Sequence, residues 1–197
     1  MPPRHPLLAI PNLLSLSRLP LAVGLFAGID AGLWWPAVGV FAAAALTDWL
    51  DGWWARTYGP LTRIGRSLDP LTDKVLIGGA FIYLLQVPGA GILPWMVTVV
   101  VGRELLVTGL RGMVEATGAT FGADWFGKLK TALQMAAIFA VLAQEGLRAG
   151  GESDLLASTE MVRRVLVAAM LVATVGSGTQ YVVRAARLLG RAVAHDG

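Results

Sequence analysis

The chain has 197 residues, 55% of them hydrophobic and only 15% charged. Soluble domains carry about 25% charged residues, so this balance points to a membrane protein. There is no cysteine, and the two histidines stand at positions 5 and 195, which excludes disulfides, thiolate nucleophiles and Cys-ligated zinc. Buried chemistry therefore falls to Asp, Glu, Lys, Arg and hydroxyls. A net charge of +3 suits anionic headgroups. The basic residues are dispersed among apolar runs rather than gathered in a tail, so a nucleic-acid partner is not expected.

About 20 mostly apolar residues are needed to cross the hydrocarbon of a bilayer as a helix. Six runs reach that length, at about 11–29, 34–56, 69–87, 92–116, 126–148 and 161–188. The first follows Pro11-Asn12, with Asn12 placed as a cap. Arg18 and Pro20 interrupt its apolar stretch, so it reads as a retained helix rather than a cleavable signal. Arg18 is expected to turn toward a polar cavity. Asp30-Ala31-Gly32 breaks the chain before the second run, which ends among Asp48, Asp51, Gly52, Ala55 and Arg56. Tyr58-Gly59-Pro60 forms the next break. Gly65 allows a sharp start to the third helix, and Asp69-Pro70 has the pattern of an N-cap followed by proline at the first helical position.

The fourth run follows Pro88-Gly89-Ala90-Gly91 and carries Glu104, Thr108, Arg111 and Glu115 at helical spacing, with Arg103 beside them. After a break from Gly118 to Asp124, the fifth repeats the pattern with Gly127, Lys130, Thr131 and Gln134, flanked by Lys128. The sixth, beyond an acidic loop at 149–160, adds little. Tryptophans 34, 35, 95 and 125 fall where interfacial belts are expected, and Trp49, Trp53 and Trp54 are expected to face lipid. No stretch alternates as a barrel strand would. The predicted fold is all-α: a polytopic, single-domain membrane protein over 1–197, with six transmembrane helices around a polar cavity open to the cytoplasm. Basic residues at Arg4, Arg56, Arg63, Arg66, Arg111, Lys128, Lys130, Arg184, Arg187 and Arg191 share one side. That places both termini in the cytoplasm.

Asp48 and Asp51 are three apart and share a helix face; Asp69 and Asp73 are four apart and share another. A short loop joins the two helices, so all four carboxylates converge at the cytoplasmic end of an antiparallel pair. Unpaired, they would repel and take up protons. One divalent cation, or two, removes the conflict, and hard oxygen ligands suit Mg²⁺, Mn²⁺ or Ca²⁺. Taken singly, Asp69 is equally well a cap, and Asp48 or Asp51 a partner of Arg56 or Arg63. Four ionisable groups together inside a membrane span point instead to function.

The pattern Asp48-x-x-Asp51-Gly52-x-x-Ala55-Arg56, followed by Gly65, Asp69 and Asp73, resembles the signature of the CDP-alcohol phosphotransferases. All eight specified residues are present at the right spacing. The resemblance implies a six-helix membrane enzyme that cleaves a CDP-linked donor, passes its phosphoryl-alcohol part to an acceptor hydroxyl and releases CMP. It implies that Asp48, Asp51 and Asp69 hold metal, a pair of Mg²⁺ or Mn²⁺ ions, and that Asp73 is a metal neighbour and the general base. Gly52, Ala55, Arg56 and Gly65 would form the CDP site. A homodimer is suggested by the same resemblance alone.

Arg103-Glu104, Leu110-Arg111 and Gly127-Lys128-x-Lys130-Thr131-x-x-Gln134, with the opening IPNLLSLSRLPL, resemble the phosphatidylglycerophosphate synthase branch. The implied donor is CDP-diacylglycerol and the implied acceptor sn-glycerol 3-phosphate, at the bacterial inner membrane. Arg103, Arg111, Lys128 and Lys130 outnumber the nearby glutamates, so an anionic acceptor would balance them, and arginine grips phosphate bidentately. The competing expectation is salt bridging between helices, for instance Glu104 or Glu115 with Lys130. Inositol phosphate, serine and phosphatidylglycerol are the rival acceptors. A divalent-cation transporter is the rival from another class, and it would spread its acids through the membrane depth.

Overall fold

The computed structural model describes residues 10–58, 63–119, 121 and 125–195. Six helices follow one another: α1 (Ile10–Asp30), α2 (Trp34–Tyr58), α3 (Arg63–Leu84), α4 (Pro94–Ala116), α5 (Trp125–Ala149) and α6 (Ser153–His195). No strand occurs among the described residues, in keeping with the all-α expectation. In hydrocarbon a helix satisfies all its own peptide groups, which is why apolar runs of this length take no other form.

Short connections make neighbours antiparallel. α1 ends on Gly32, at φ 67°, with Gly32 N–H donating to the Ile29 carbonyl and Leu33 N–H to that of Gly28. α5 ends the same way on Gly151, whose N–H donates to the Arg148 carbonyl while that of Glu152 donates to the Leu147 carbonyl. Both are Schellman ends, which occupy orphan carbonyls and need a residue tolerant of positive φ. α1 packs on α2 and α3, α6 packs on α5 and α4, and α2 with α5 joins the two halves. One core runs through both, including Leu25, Phe41, Phe81, Ile138, Leu142 and Met170. At Gly79 an added Cβ would lie 2.2 Å from the Phe26 ring. Glycine there lets that ring settle on α3 and stack on Tyr83 at 4.8 Å.

Large apolar side chains also cover the outside, with Val23, Leu105 and Val172 among those most exposed. Among the described residues, α1, α5 and α6 each offer a stretch long and apolar enough to cross a membrane. The other three helices expected as spans, α2, α3 and α4, carry the motif aspartates and the fourth run's polar stripe.

Three boundaries differ from the sequence expectation. α1 begins at Ile10, so Asn12 lies within the helix rather than capping it. α3 begins at Arg63, so Asp69 lies inside the helix rather than at its N-cap, and Gly65 is within its first turn. Asp-Pro is a start signal in water, but here the helix has already begun. α6 begins at Ser153 rather than near 161 and runs 43 residues. At 1.5 Å per residue that is about 64 Å, roughly twice the hydrocarbon thickness.

Candidate active site

Arg18, near the middle of α1, is the largest fully buried side chain among the described residues. A guanidinium so placed needs a counter-charge, and two are supplied from successive helices. Asp48 of α2 lies 3.1 Å from Arg18 Nη2, and Asp73 of α3 lies 3.9 Å from Nη1. The arginine closes the back of this cluster, since its side chain is 2% exposed. The carboxylates are open, at 46% for Asp48 and 34% for Asp73. Two of the four predicted acids are thus brought together. The side chains of Asp51, Ala55, Arg56, Gly65 and Asp69 lie outside the described residues; their backbones belong to α2 and α3. Gly52 is half-buried on α2. Among the described residues no group of three or more acids forms a metal cluster.

A second cluster is built from α4, α5 and α6. Lys130 of α5 is buried and paired with Glu104 of α4, whose Oε1 also lies 3.2 Å from Arg103 Nη1. This is the interhelical pairing that competed with an acceptor role. One carboxylate does not match the cations around it, however. Arg103 keeps Nε and Nη2 buried without a hydrogen-bond partner, and the fully buried amide of Gln134 has none at either end. Arg111 Nη2 donates to the Tyr181 hydroxyl at 2.8 Å. The guanidinium carbons of Arg103 and Arg111 lie 5.5 and 5.7 Å from the centre of the Tyr181 ring, within cation–π reach. Phe121 leans on the same ring at 5.1 Å. Lys128 and Glu115 are exposed.

The two clusters meet. The charges acting on Asp73 are those of Asp48 and Arg18 on one side and of Lys130 and Glu104 on the other. Lys74, one residue past Asp73, donates to Thr108 of the α4 stripe at 2.5 Å. Tyr181 and Lys74 were absent from the sequence reading. A lone tyrosine in an apolar helix was the available signal, because its buried hydroxyl must find a partner. Trp49 and Trp53 are exposed beside Asp48, as expected of lipid-facing residues, while Trp54 lies outside the described side chains.

Residues 8–176 match the model of the CDP-alcohol phosphatidyltransferase family. A protein of Bacillus subtilis named CDP-diacylglycerol–glycerol-3-phosphate 3-phosphatidyltransferase is 44% identical over 103 residues, 52% of this chain and 52% of its own length. A Mycobacterium tuberculosis protein named probable phosphatidylglycerophosphate synthase is 42% identical over 153 residues, 77% of this chain and 66% of its own. A Pectobacterium atrosepticum protein with the same name as the Bacillus one is 33% identical, over 68% of this chain and 76% of its own length. The matched stretch therefore spans about half to three quarters of these relatives.

Proposed function

The chain belongs to the CDP-alcohol phosphatidyltransferase family, and on that premise we propose that it transfers the phosphatidyl group of CDP-diacylglycerol to sn-glycerol 3-phosphate. The products are phosphatidylglycerophosphate and CMP. The observation that carries this reading is the meeting of Asp48 and Asp73, from successive helices, on Arg18 within the family's signature spacing. The relatives named for this reaction support the choice of donor and acceptor.

The donor set suits a hard divalent cation: open carboxylates on one side of a buried arginine, in a chain with no cysteine and with histidines only at positions 5 and 195. Asp48, Asp51, Asp69 and Asp73 would hold a pair of Mg²⁺ or Mn²⁺ ions, which supply charge neutralisation for the attacking and leaving oxygens. Arg18 fixes Asp48 and Asp73 by ion pairing from behind, so that their free oxygens face outward. Gly52, Ala55, Arg56 and Gly65 line the nucleotide. Asp73 takes the proton of the acceptor hydroxyl. That oxygen then bonds to the phosphorus bearing the diacylglycerol, the bond from that phosphorus to CMP breaks, and CMP departs with the electron pair. Arg103, Arg111, Lys128 and Lys130 hold the acceptor's phosphate and compensate for the dianion.

All six helices cross the membrane in this reading, with both termini and the site on the cytoplasmic side of the inner membrane. The donor's acyl chains stay in the bilayer while its nucleotide reaches the aspartates. Purified protein supplied with CDP-diacylglycerol and, in turn, glycerol 3-phosphate, inositol phosphate, serine or phosphatidylglycerol tests the proposal. CMP release is expected with the first alone. Release with another acceptor in preference would keep the chemistry and overturn the acceptor.

A further inference from the structure

At the end of the bundle away from Asp48 and Asp73, a cavity of about 300 Å³ lies between α4 and α6. Met96, Val167, Ala168 and Leu171 line it, together with Arg163 and Arg164. Arg163 is 6% exposed. One of its terminal nitrogens donates to the Ala90 carbonyl, and its Nε has no partner. Gly91, at φ 69°, makes that reach feasible, because a Cβ there would collide with the guanidinium.

Charge is unbalanced around this point. Glu145 and Glu160 both act on Arg163, but the first is paired with Arg148 and the second with Arg164, so three guanidinium groups share two carboxylates and Arg163 has no ion pair of its own among the described residues. A buried guanidinium short of a counter-ion is costly, and an anion removes the cost. The remaining lining is apolar, and a free inorganic anion would leave it bare. Depth also matters. Arg163 stands ten residues into the 43-residue α6, about 15 Å from its start, with about 48 Å of helix still to come. That remainder exceeds the roughly 30 Å of hydrocarbon, so α6 can cross the bilayer wholly beyond Arg163, which leaves the arginine room at headgroup level.

We propose that this cavity binds an anionic phospholipid, its phosphate held by Arg163 and Arg164 and part of an acyl chain lying along Met96, Val167, Ala168 and Leu171. Paired guanidinium groups suit a phosphate. The inference rests on the membrane reading and not on the transfer reaction.

The test is thermal unfolding of the full chain in neutral detergent, with phosphatidylserine, with phosphatidylcholine of the same acyl chains, or with inorganic phosphate. Phosphatidylserine is neither donor nor product of the proposed reaction. It is expected to raise Tm by several degrees, and the other two are not. Arg163 also anchors the Ala90 loop, so its replacement risks misfolding. Arg164→Gln removes an exposed charge paired only within its own helix, and Ala168→Trp fills the apolar lining. Each should keep the lipid-free Tm and wild-type CMP release while losing the phosphatidylserine shift. Equal stabilisation by phosphatidylcholine or by phosphate would overturn the proposal, as would a shift that survives both substitutions. A lipid shift without any CMP release would leave this site standing and sink the transferase instead.

Discussion

In the α1–α3 half, one buried arginine stands behind two partly exposed carboxylates, whereas in the α4–α6 half one carboxylate, Glu104, stands among Arg103, Lys130 and, a turn or two away, Arg111. The described side chains of the first half are therefore short of positive charge on their open side, and those of the second are short of negative charge. Within a medium of low dielectric neither imbalance is stable alone. The first suits a bound cation and the second a bound anion, and Asp73 lies in the field of both. A transferase that joins a metal-bound nucleotide donor to a phosphorylated acceptor needs this asymmetry.

The sharpest way to break the comparison is to neutralise the first half. Asp48→Asn and Asp73→Asn should each leave the protein extractable and folded, because Arg18 keeps one carboxylate partner in either variant. CMP release should fall by at least about 10²–10⁴-fold, the span lost with a general acid or base. The same loss is expected for Asp51→Asn. Chelation of divalent ions should abolish turnover, and added Mg²⁺ or Mn²⁺ should restore it. Activity that survives chelation would mean the open carboxylates are structural partners of Arg18 and nothing more.

The second half predicts a smaller and more selective effect. Arg111→Ala should raise the KM for glycerol 3-phosphate about ten- to hundred-fold, the equivalent of losing one charge-assisted contact of about 1.5–3 kcal/mol. The KM for CDP-diacylglycerol should stay near its wild-type value. Lysine is a poor replacement, since an ammonium cannot reproduce the planar fork that meets phosphate and tyrosine together. If both constants move alike in steady-state kinetics, Arg111 is a pairing partner of Tyr181 and the two halves are not separate subsites.

The two halves also differ in how far they could be read from the chain. Asp48 and Asp73 declare themselves because a carboxylate in an apolar run is expensive, and their helical spacing fixes a common end of the bundle. Their buried partner Arg18 was legible for the same reason, though not which acids it would meet. The α4 and α5 stripes were visible as polar periodicity, but periodicity cannot tell whether Lys130 turns to Glu104 or to a ligand. Tyr181 is the clearest omission. It lies 70 residues from Arg111 in a helix that shows no polar stripe like those of α4 and α5, and only the packing of α6 on α4 joins them. The misplaced starts of α3 and α6 have one cause: Asp-Pro and an acidic stretch mark helix starts and loops in water, yet both lie within helices here.

The smallest expected effect probes that omission. Tyr181→Phe removes the hydroxyl that accepts from Arg111 and leaves the ring beneath both guanidinium groups. Arg111 is exposed, so water can replace the lost acceptor, and the net cost should fall at the low end for a hydrogen bond, about 0.5–1.5 kcal/mol. That corresponds to roughly a two- to ten-fold rise in the acceptor KM, with turnover at saturating substrate unchanged. Gly178→Ala perturbs the other guanidinium on the Tyr181 ring, that of Arg103. Its new methyl would lie 3.0 Å from Arg103 Cγ, so Arg103 must shift by a few tenths of an ångström. A shift of that size should also weaken acceptor binding, again without touching the donor constant. Both residues sit on α6, far in sequence from the aspartates, and act only through the α4 arginines. Should either substitution lower turnover as much as Asp73→Asn does, the positive half would belong to the bond-breaking step itself, and the division into a cation-holding and an anion-holding half would fail.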